Sequence, residues 1–88
     1  MDKTAIYPGT FDPITSGHVD LAERASKVFA NVIVAIAASP TKKPMFTLND
    51  RLEMARASLS HVKNIEIIGF DGLLIDCMRN TNTRAVIR

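Results

Sequence analysis

The sequence predicts an α/β fold, a Rossmann-like parallel sheet with flanking helices. Two observations carry this prediction. Apolar runs of strand length alternate with segments of helical periodicity, which indicates successive βαβ units. Residues 32–38 form a continuous apolar run, typical of a strand buried on both faces of a parallel sheet. Right-handed crossovers make such a sheet parallel, and the predicted order is β-α-β-α-β-α-β.

The first half of the chain contains two predicted strands and one helix. Residues 3–7 read as the first strand, ended by Pro8-Gly9. Residues 17–29 follow helical spacing, with Thr15 or Ser16 as the candidate N-cap. Residues 32–38 form the second strand. The apolar face of the helix comprises Leu21, Ala22, Ala25, Val28 and Phe29.

The second half repeats the pattern. Thr47 and Asp50 predict a capping-box-like start to a second helix. A third strand at 65–70, a third helix at 71–80 and a fourth strand at 84–88 follow. A parallel strand normally continues into a crossover helix, so we expect residues 1–88 to be the N-terminal part of one domain, truncated on its C-terminal side. The predicted apolar residues of the two helices are Leu48, Leu52, Ala55 and Leu59, then Leu74, Ile75, Cys77 and Met78.

Composition narrows the class of protein. The chain is 47% hydrophobic and 23% charged, as in globular domains. A net charge of +2, with one adjacent basic pair, argues against a nucleic-acid partner. A single cysteine fits a reducing compartment. The longest apolar block is too short to span a membrane, and no signal peptide is visible. We therefore expect a cytoplasmic protein with neither a nucleic-acid nor a membrane partner.

Residues 9–18, GTFDPITSGH, are the most informative segment. A strand that feeds a glycine-bearing turn and then a helix is the layout of a phosphate site, because backbone N–H groups and the helix dipole face the anion. Gly17 lets the backbone approach a phosphate, and His18 lies in the first helical turn. A plain turn at Gly9-Thr10, or a histidine bonded only to the preceding loop, is the alternative for each motif alone. Together they favour a phosphate site.

Other polar residues are predicted at the same edge of the sheet. Lys42 and Lys43 follow the second strand, where they could hold phosphate as point charges or remain a solvated pair. Arg88 ends the fourth strand on that edge, whereas Arg84 begins it on the opposite one. Positive charge and one histidine around a helix N-terminus suit phosphoryl or nucleotidyl transfer.

Four further residues have mainly structural interpretations. Phe11 is expected to pack in the core or against the loop rather than stack on a base, and Asp12 to form an Asx-type turn rather than bind a metal. Leu74 is a core residue that could also wall a pocket. His61 follows the second helix in a polar loop and has no predicted role.

These motifs also resemble a known family. GTFDPITSGH is similar to the nucleotidyltransferase signature, a GTFDP turn followed by T/HxGH. The segments ASPTKKPMFT and GFDGLL narrow the resemblance to the bacterial phosphopantetheine adenylyltransferases. The resemblance implies transfer of the adenylyl group of ATP to 4′-phosphopantetheine, with Mg²⁺, in coenzyme A biosynthesis. It also implies a homohexamer.

The resemblance assigns roles to individual residues. Thr10 would contact both substrates, and Phe11 would contribute a backbone contact to ATP. His18 would bind the α-phosphate and stabilise the transition state, as the catalytic residue. No protein ligand to a metal is implied. The implied substrate-binding residues are Thr10, Lys42, Leu74 and Arg88.

The length of the chain departs from this family. Family members are roughly twice as long, nearer the usual size of an α/β domain. A Gly-x-Arg segment and a Ser/Thr-rich ATP motif would lie beyond residue 88, so we expect the 88-residue polypeptide alone to be poorly active. A sister nucleotidyltransferase, which usually has histidine in place of Thr15, or a non-catalytic nucleotide-binding fragment is the alternative.

Overall fold

The centre of the fold is a parallel sheet with strand order β3-β2-β1-β4. The computed structural model describes residues 3–38, 43–81, 83 and 85–87. The predicted α/β class and the order of the elements are confirmed. In chain order these elements are β1 (Thr4–Gly9), α1 (Ser16–Val28), β2 (Asn31–Ala37), α2 (Leu48–Leu59), β3 (Ile65–Phe70), α3 (Leu74–Thr81) and β4 (Ala85–Val86).

The strand register brings the carboxyl ends of β1, β2 and β3 to one edge. Gly9 at the end of β1 lies opposite Ile36 near the end of β2. Ala37 at the end of β2 lies opposite Phe70 at the end of β3. The three loops that follow these strands therefore share this edge, which we call the carboxyl edge.

Helices cover the two faces of the sheet. Side chains alternate along a strand, so neighbouring residues of β1 and β2 enter different clusters. The residues at 32–36 are all buried, as expected for a strand covered on both faces. The cluster under α1 and α2 contains Tyr7, Phe11, Ala22, Ala25, Val32, Val34, Ile36, Ala55 and Leu59. The cluster under α3 contains Ile6, Ile33, Ala35 and Cys77.

Several details differ from the sequence prediction. β1 continues through Pro8 and Gly9 instead of ending before them. A proline is tolerated there because, among the described residues, β1 pairs with β4 only at Ala5 and Ile6. β2 begins at Asn31, one residue before the predicted start of the second strand.

Some residues predicted for the apolar helix faces are exposed. Val28 is 62% exposed, since Phe29 and not Val28 packs against the core where α1 ends. Ile75 is 55% exposed because α3 meets the sheet through Leu74, Cys77 and Met78, one stripe at helical spacing. Periodicity alone did not separate these residues from their buried neighbours.

Within the described residues, no helix combines the length and apolar character needed to cross a membrane.

The thiol of Cys77 provides a test of the α3 packing. It is the single cysteine of the sequence and is 6% exposed. Burial raises the pKa of the Cys77 thiol above its ordinary value of 9.0, so less reactive thiolate is present near neutral pH. We expect a chromogenic disulfide reagent to react at least about tenfold more slowly with the folded protein than with the urea-unfolded protein.

The same shift has a consequence for stability. Above pH 9 the folded chain keeps a proton that the unfolded chain has lost, so alkaline pH lowers the free energy of unfolding. Equal thiol reactivity in the folded and unfolded protein would contradict this packing of α3.

Candidate functional site

The turn between β1 and α1 presents a helix N-terminus at the carboxyl edge. Thr15 is the N-cap, and the first turn of α1 carries no acidic residue that would neutralise the positive end of the helix dipole. The first N–H groups of a helix have no intrahelical carbonyl partner and can bind an anion. The turn therefore offers a phosphate-sized anion both N–H donors and a favourable dipole.

His18 is held by a reciprocal pair of hydrogen bonds with Thr15. The His18 N–H donates to Thr15 Oγ1 at 3.4 Å, and the Thr15 N–H donates to His18 Nδ1 at 3.0 Å. Because Nδ1 accepts this bond, the neutral imidazole carries its proton on Nε2. His18 thus bonds the preceding loop with one nitrogen and has the other as a donor for a ligand. The bond to the preceding loop therefore leaves both interpretations of this histidine open.

Aromatic packing fixes the plane of the imidazole. Phe11 is 3% exposed, and its ring lies edge to face against His18, with centroids 4.8 Å apart. The ring of Tyr7 also packs edge to face against Phe11, with centroids 5.2 Å apart, and burial raises the pKa of the Tyr7 phenol. The Phe11 backbone has a φ of 48°, in the left-handed region that bulky residues rarely adopt. The side chain of Phe11 is therefore a core residue, as predicted, while its backbone shapes the turn.

The two glycines of the motif differ in whether the structure leaves room for a side chain. A Cβ on Gly9 would lie 2.9 Å from Cε2 of Phe11, closer than carbon atoms approach, so packing requires a glycine there. A Cβ on Gly17 would make only an ordinary contact, 3.7 Å from Thr15 Oγ1. Packing among the described residues does not require Gly17, so an alanine fits the fold at this position.

Asp12 joins the β1–α1 turn to the loop that follows β2. Its carboxylate accepts the N–H of Met45 and, through Oδ1 at 2.8 Å, the N–H of Phe46. The predicted Asx-type turn at Asp12 is therefore wrong. Because β1 and β2 are adjacent and parallel, their loops lie side by side, and Asp12 bonds across them instead of within its own turn.

Arg51 is a residue that our sequence analysis did not identify. It lies in the first turn of α2 and is 1% exposed. Its guanidinium reaches the carbonyl of Thr10, at 3.0 Å from Nη1. A signal was present in the sequence, since Arg51 shares the helical stripe of Ala55 and Leu59 at spacings of four residues. A charged residue in an apolar stripe indicates a specific buried partner.

The structure brings some of the predicted site residues together. Thr10 is exposed at the carboxyl edge, on the same turn as Phe11 and His18. Leu74 begins α3 after β3 and packs on the cluster of the other sheet face. Lys42 and Arg88 lie outside the described residues, and their roles stay predictions.

Potential metal ligands do not cluster in the described part of the chain. Within 3–38, 43–81, 83 and 85–87, no group of three or more His, Cys, Asp or Glu side chains is placed to hold a metal ion. The Asp12 carboxylate already accepts two backbone N–H groups.

His61 lies away from the carboxyl edge. It precedes β3, and its Nε2 is 2.6 Å from Oε2 of Glu23 on α1. The two side chains line a cleft of about 390 Å³ between α1 and the α2–β3 connection. This cleft is not part of the phosphate turn.

The chain is similar to known proteins along nearly all of its length. The family described as cytidylyltransferase-like matches residues 6–88. Among curated proteins, a phosphopantetheine adenylyltransferase of Actinobacillus succinogenes is 56% identical over 86 residues, which are 98% of this chain and 53% of that protein. The chain thus spans about half the length of the curated relative that it matches.

Proposed function

Because the chain belongs to the cytidylyltransferase-like family, we propose that the protein transfers the adenylyl group of ATP to 4′-phosphopantetheine, forming dephospho-coenzyme A and pyrophosphate. The relative that is 56% identical is named for this activity, which supports the choice of substrates. The observation that carries the proposal is the pairing of His18 with Thr15, on the same turn as Thr10.

The proposed reaction joins two anions. An oxygen of the pantetheine phosphate forms a bond to the α-phosphorus of ATP, and the bond from that phosphorus to the bridging oxygen of the β-phosphate breaks. Pyrophosphate leaves with the bonding electrons. The attacking oxygen is already anionic, so no side chain has to remove a proton. Catalysis then depends on positioning and on stabilising the charge of the transition state.

The residues of the turn meet these two requirements. The Nε2–H of His18 donates to an oxygen of the α-phosphate, where negative charge develops. The N-terminus of α1 adds N–H donors and a favourable dipole. The Thr10 hydroxyl places the pantetheine phosphate beside the α-phosphate, and the Phe11 backbone contacts ATP. His18 is the proposed catalytic residue.

The remaining parts of the proposal concern the second substrate and the assembly. Lys42 holds phosphate, and Leu74 and Arg88 line the pantetheine site. Mg²⁺ commonly reaches phosphoryl-transfer sites on substrate phosphates, and we propose that it enters this site bound to ATP. We also propose that the protein is cytoplasmic and that it assembles as a homohexamer.

A pyrophosphate-release assay tests the proposed activity. We expect pyrophosphate only when ATP and 4′-phosphopantetheine are both present, with dephospho-coenzyme A formed in equal amount. Release from CTP in place of ATP would favour a sister nucleotidyltransferase. ATP binding without any release would identify a non-catalytic nucleotide-binding module.

Replacing Gly17 by Ala separates ligand binding from folding. An added Cβ fits the structure, and alanine is favoured over glycine within a helix by up to about 1 kcal/mol. We expect G17A to unfold at the same or a higher temperature but to raise the KM for ATP at least about tenfold, because its methyl group occupies space that the phosphate needs. Thermal unfolding and initial rates measure the two effects.

The matched control is Asn49→Ala, at the equivalent position in the first turn of α2. It should leave the KM for ATP unchanged. An ATP KM for G17A within about twofold of the unsubstituted value would contradict a phosphate at this turn.

A further inference from the structure

Arg51 is the one buried charged residue among those that the structure describes. Its guanidinium bonds only to backbone carbonyl groups. Nε donates to Phe46 O at 3.1 Å, and Nη1 donates to Thr10 O at 3.0 Å and to Ala37 O at 2.8 Å. Nη2 lies 3.5 Å from Ala38 O. These carbonyls belong to the β1–α1 turn, the end of β2 and the loop between β2 and α2.

No acidic side chain of the described residues forms an ion pair with Arg51. Buried charges in proteins are normally paired, because removing a charge from water is costly. The carbonyl groups accept hydrogen bonds from Arg51, but they are uncharged and do not neutralise its positive charge. That charge lies directly beneath the turn where the proposed substrates bring several negative charges.

Asp12 also bonds the β1–α1 turn to the loop that follows β2. The backbone N–H of Phe46 donates to the Asp12 carboxylate, and the backbone carbonyl of Phe46 accepts from Arg51. Asp12 and Thr10 belong to one turn, whereas Phe46 belongs to the loop that follows β2. The two side chains therefore lock this loop to the turn that carries Thr10 and His18.

We propose that Arg51 is a positioning residue, whose buried guanidinium holds the Thr10 carbonyl and thereby orients the Thr10 hydroxyl toward the phosphates. The inference rests on the proposed function. A lysine at this position cannot replace the planar fork, since an ammonium group has three donors and no fixed plane. Arg51→Lys keeps the charge and removes the geometry.

A double-mutant cycle tests whether Arg51 acts through Thr10. The variants are R51K, T10A and the double substitution, each assayed for kcat and KM at a temperature where circular dichroism shows it folded. We expect R51K to lower kcat at least about tenfold in the unsubstituted protein but less than about threefold in the T10A background. If Arg51 had a purely structural role, R51K would lower kcat by the same factor in both backgrounds. Equal factors therefore overturn the inference.

Controls keep the test decisive. Arg56→Lys changes an exposed arginine of the same helix and should leave kcat unchanged. If R51K does not fold, Asp12→Asn replaces it in the cycle, since it weakens the same connection from the opposite side. D12N should then give the same dependence on Thr10, and equal factors again overturn the inference. If the unsubstituted protein shows no adenylyl transfer, the proposed function itself is wrong. If it is active and the substitution lowers kcat by the same factor in both Thr10 backgrounds, only the proposed role of Arg51 is wrong.

Discussion

Replacing His18 by Ala should lower kcat by about 10²–10³-fold, the usual effect of removing one donor that stabilises a transition state. The KM for ATP should change by less than about threefold, because the helix N-terminus and Thr10, the other proposed phosphate contacts, remain in the variant. In the proposed reaction, the Nε2–H, oriented by Thr15 and Phe11, donates most strongly to the α-phosphate as its charge develops. Steady-state rates of pyrophosphate release measure both constants.

The second histidine provides the matched control. His61→Ala removes an imidazole that lies on the opposite side of the fold from the carboxyl edge and contacts Glu23. It should leave kcat unchanged. A kcat for H18A equal to that of H61A would show that His18 has no part in the chemical step.

Replacing Phe11 by Ala should lower the free energy of unfolding by about 3–5 kcal/mol. The ring is 3% exposed and packs against Tyr7 and His18, so truncation leaves a cavity at the base of the turn. The imidazole of His18 loses its edge-to-face support, and kcat should fall together with stability. Urea denaturation measures the first effect, and rates at a temperature where the variant is folded measure the second.

Val28→Ala is the control for truncation of an apolar side chain. Val28 is 62% exposed, and its substitution should change the free energy of unfolding by no more than about 0.5 kcal/mol. Equal losses for the two variants would mean that Phe11 is not part of the core.

Much of the fold was predictable because its signals are local. Strand β3 has the predicted bounds, Ile65–Phe70, because a mostly apolar segment of strand length lies between two polar loops. Thr15 and Thr47 cap their helices as their spacing to the first-turn N–H groups indicates. Exposed Val28 and Ile75 were not predictable in this way, because periodicity locates a face but not where the partner surface ends.

The sequence by itself determined the parallel α/β architecture and the turn that presents Thr10, Phe11 and His18 at a helix N-terminus. Each of these depends on residues within a few positions of one another. Only the tertiary structure decided how that turn is held. Asp12 bonds residues 33 and 34 positions away, and Arg51 bonds Thr10 across 41 positions. Such contacts exist because β1 and β2 are neighbours in the sheet, a pairing that no short segment of the chain encodes alone.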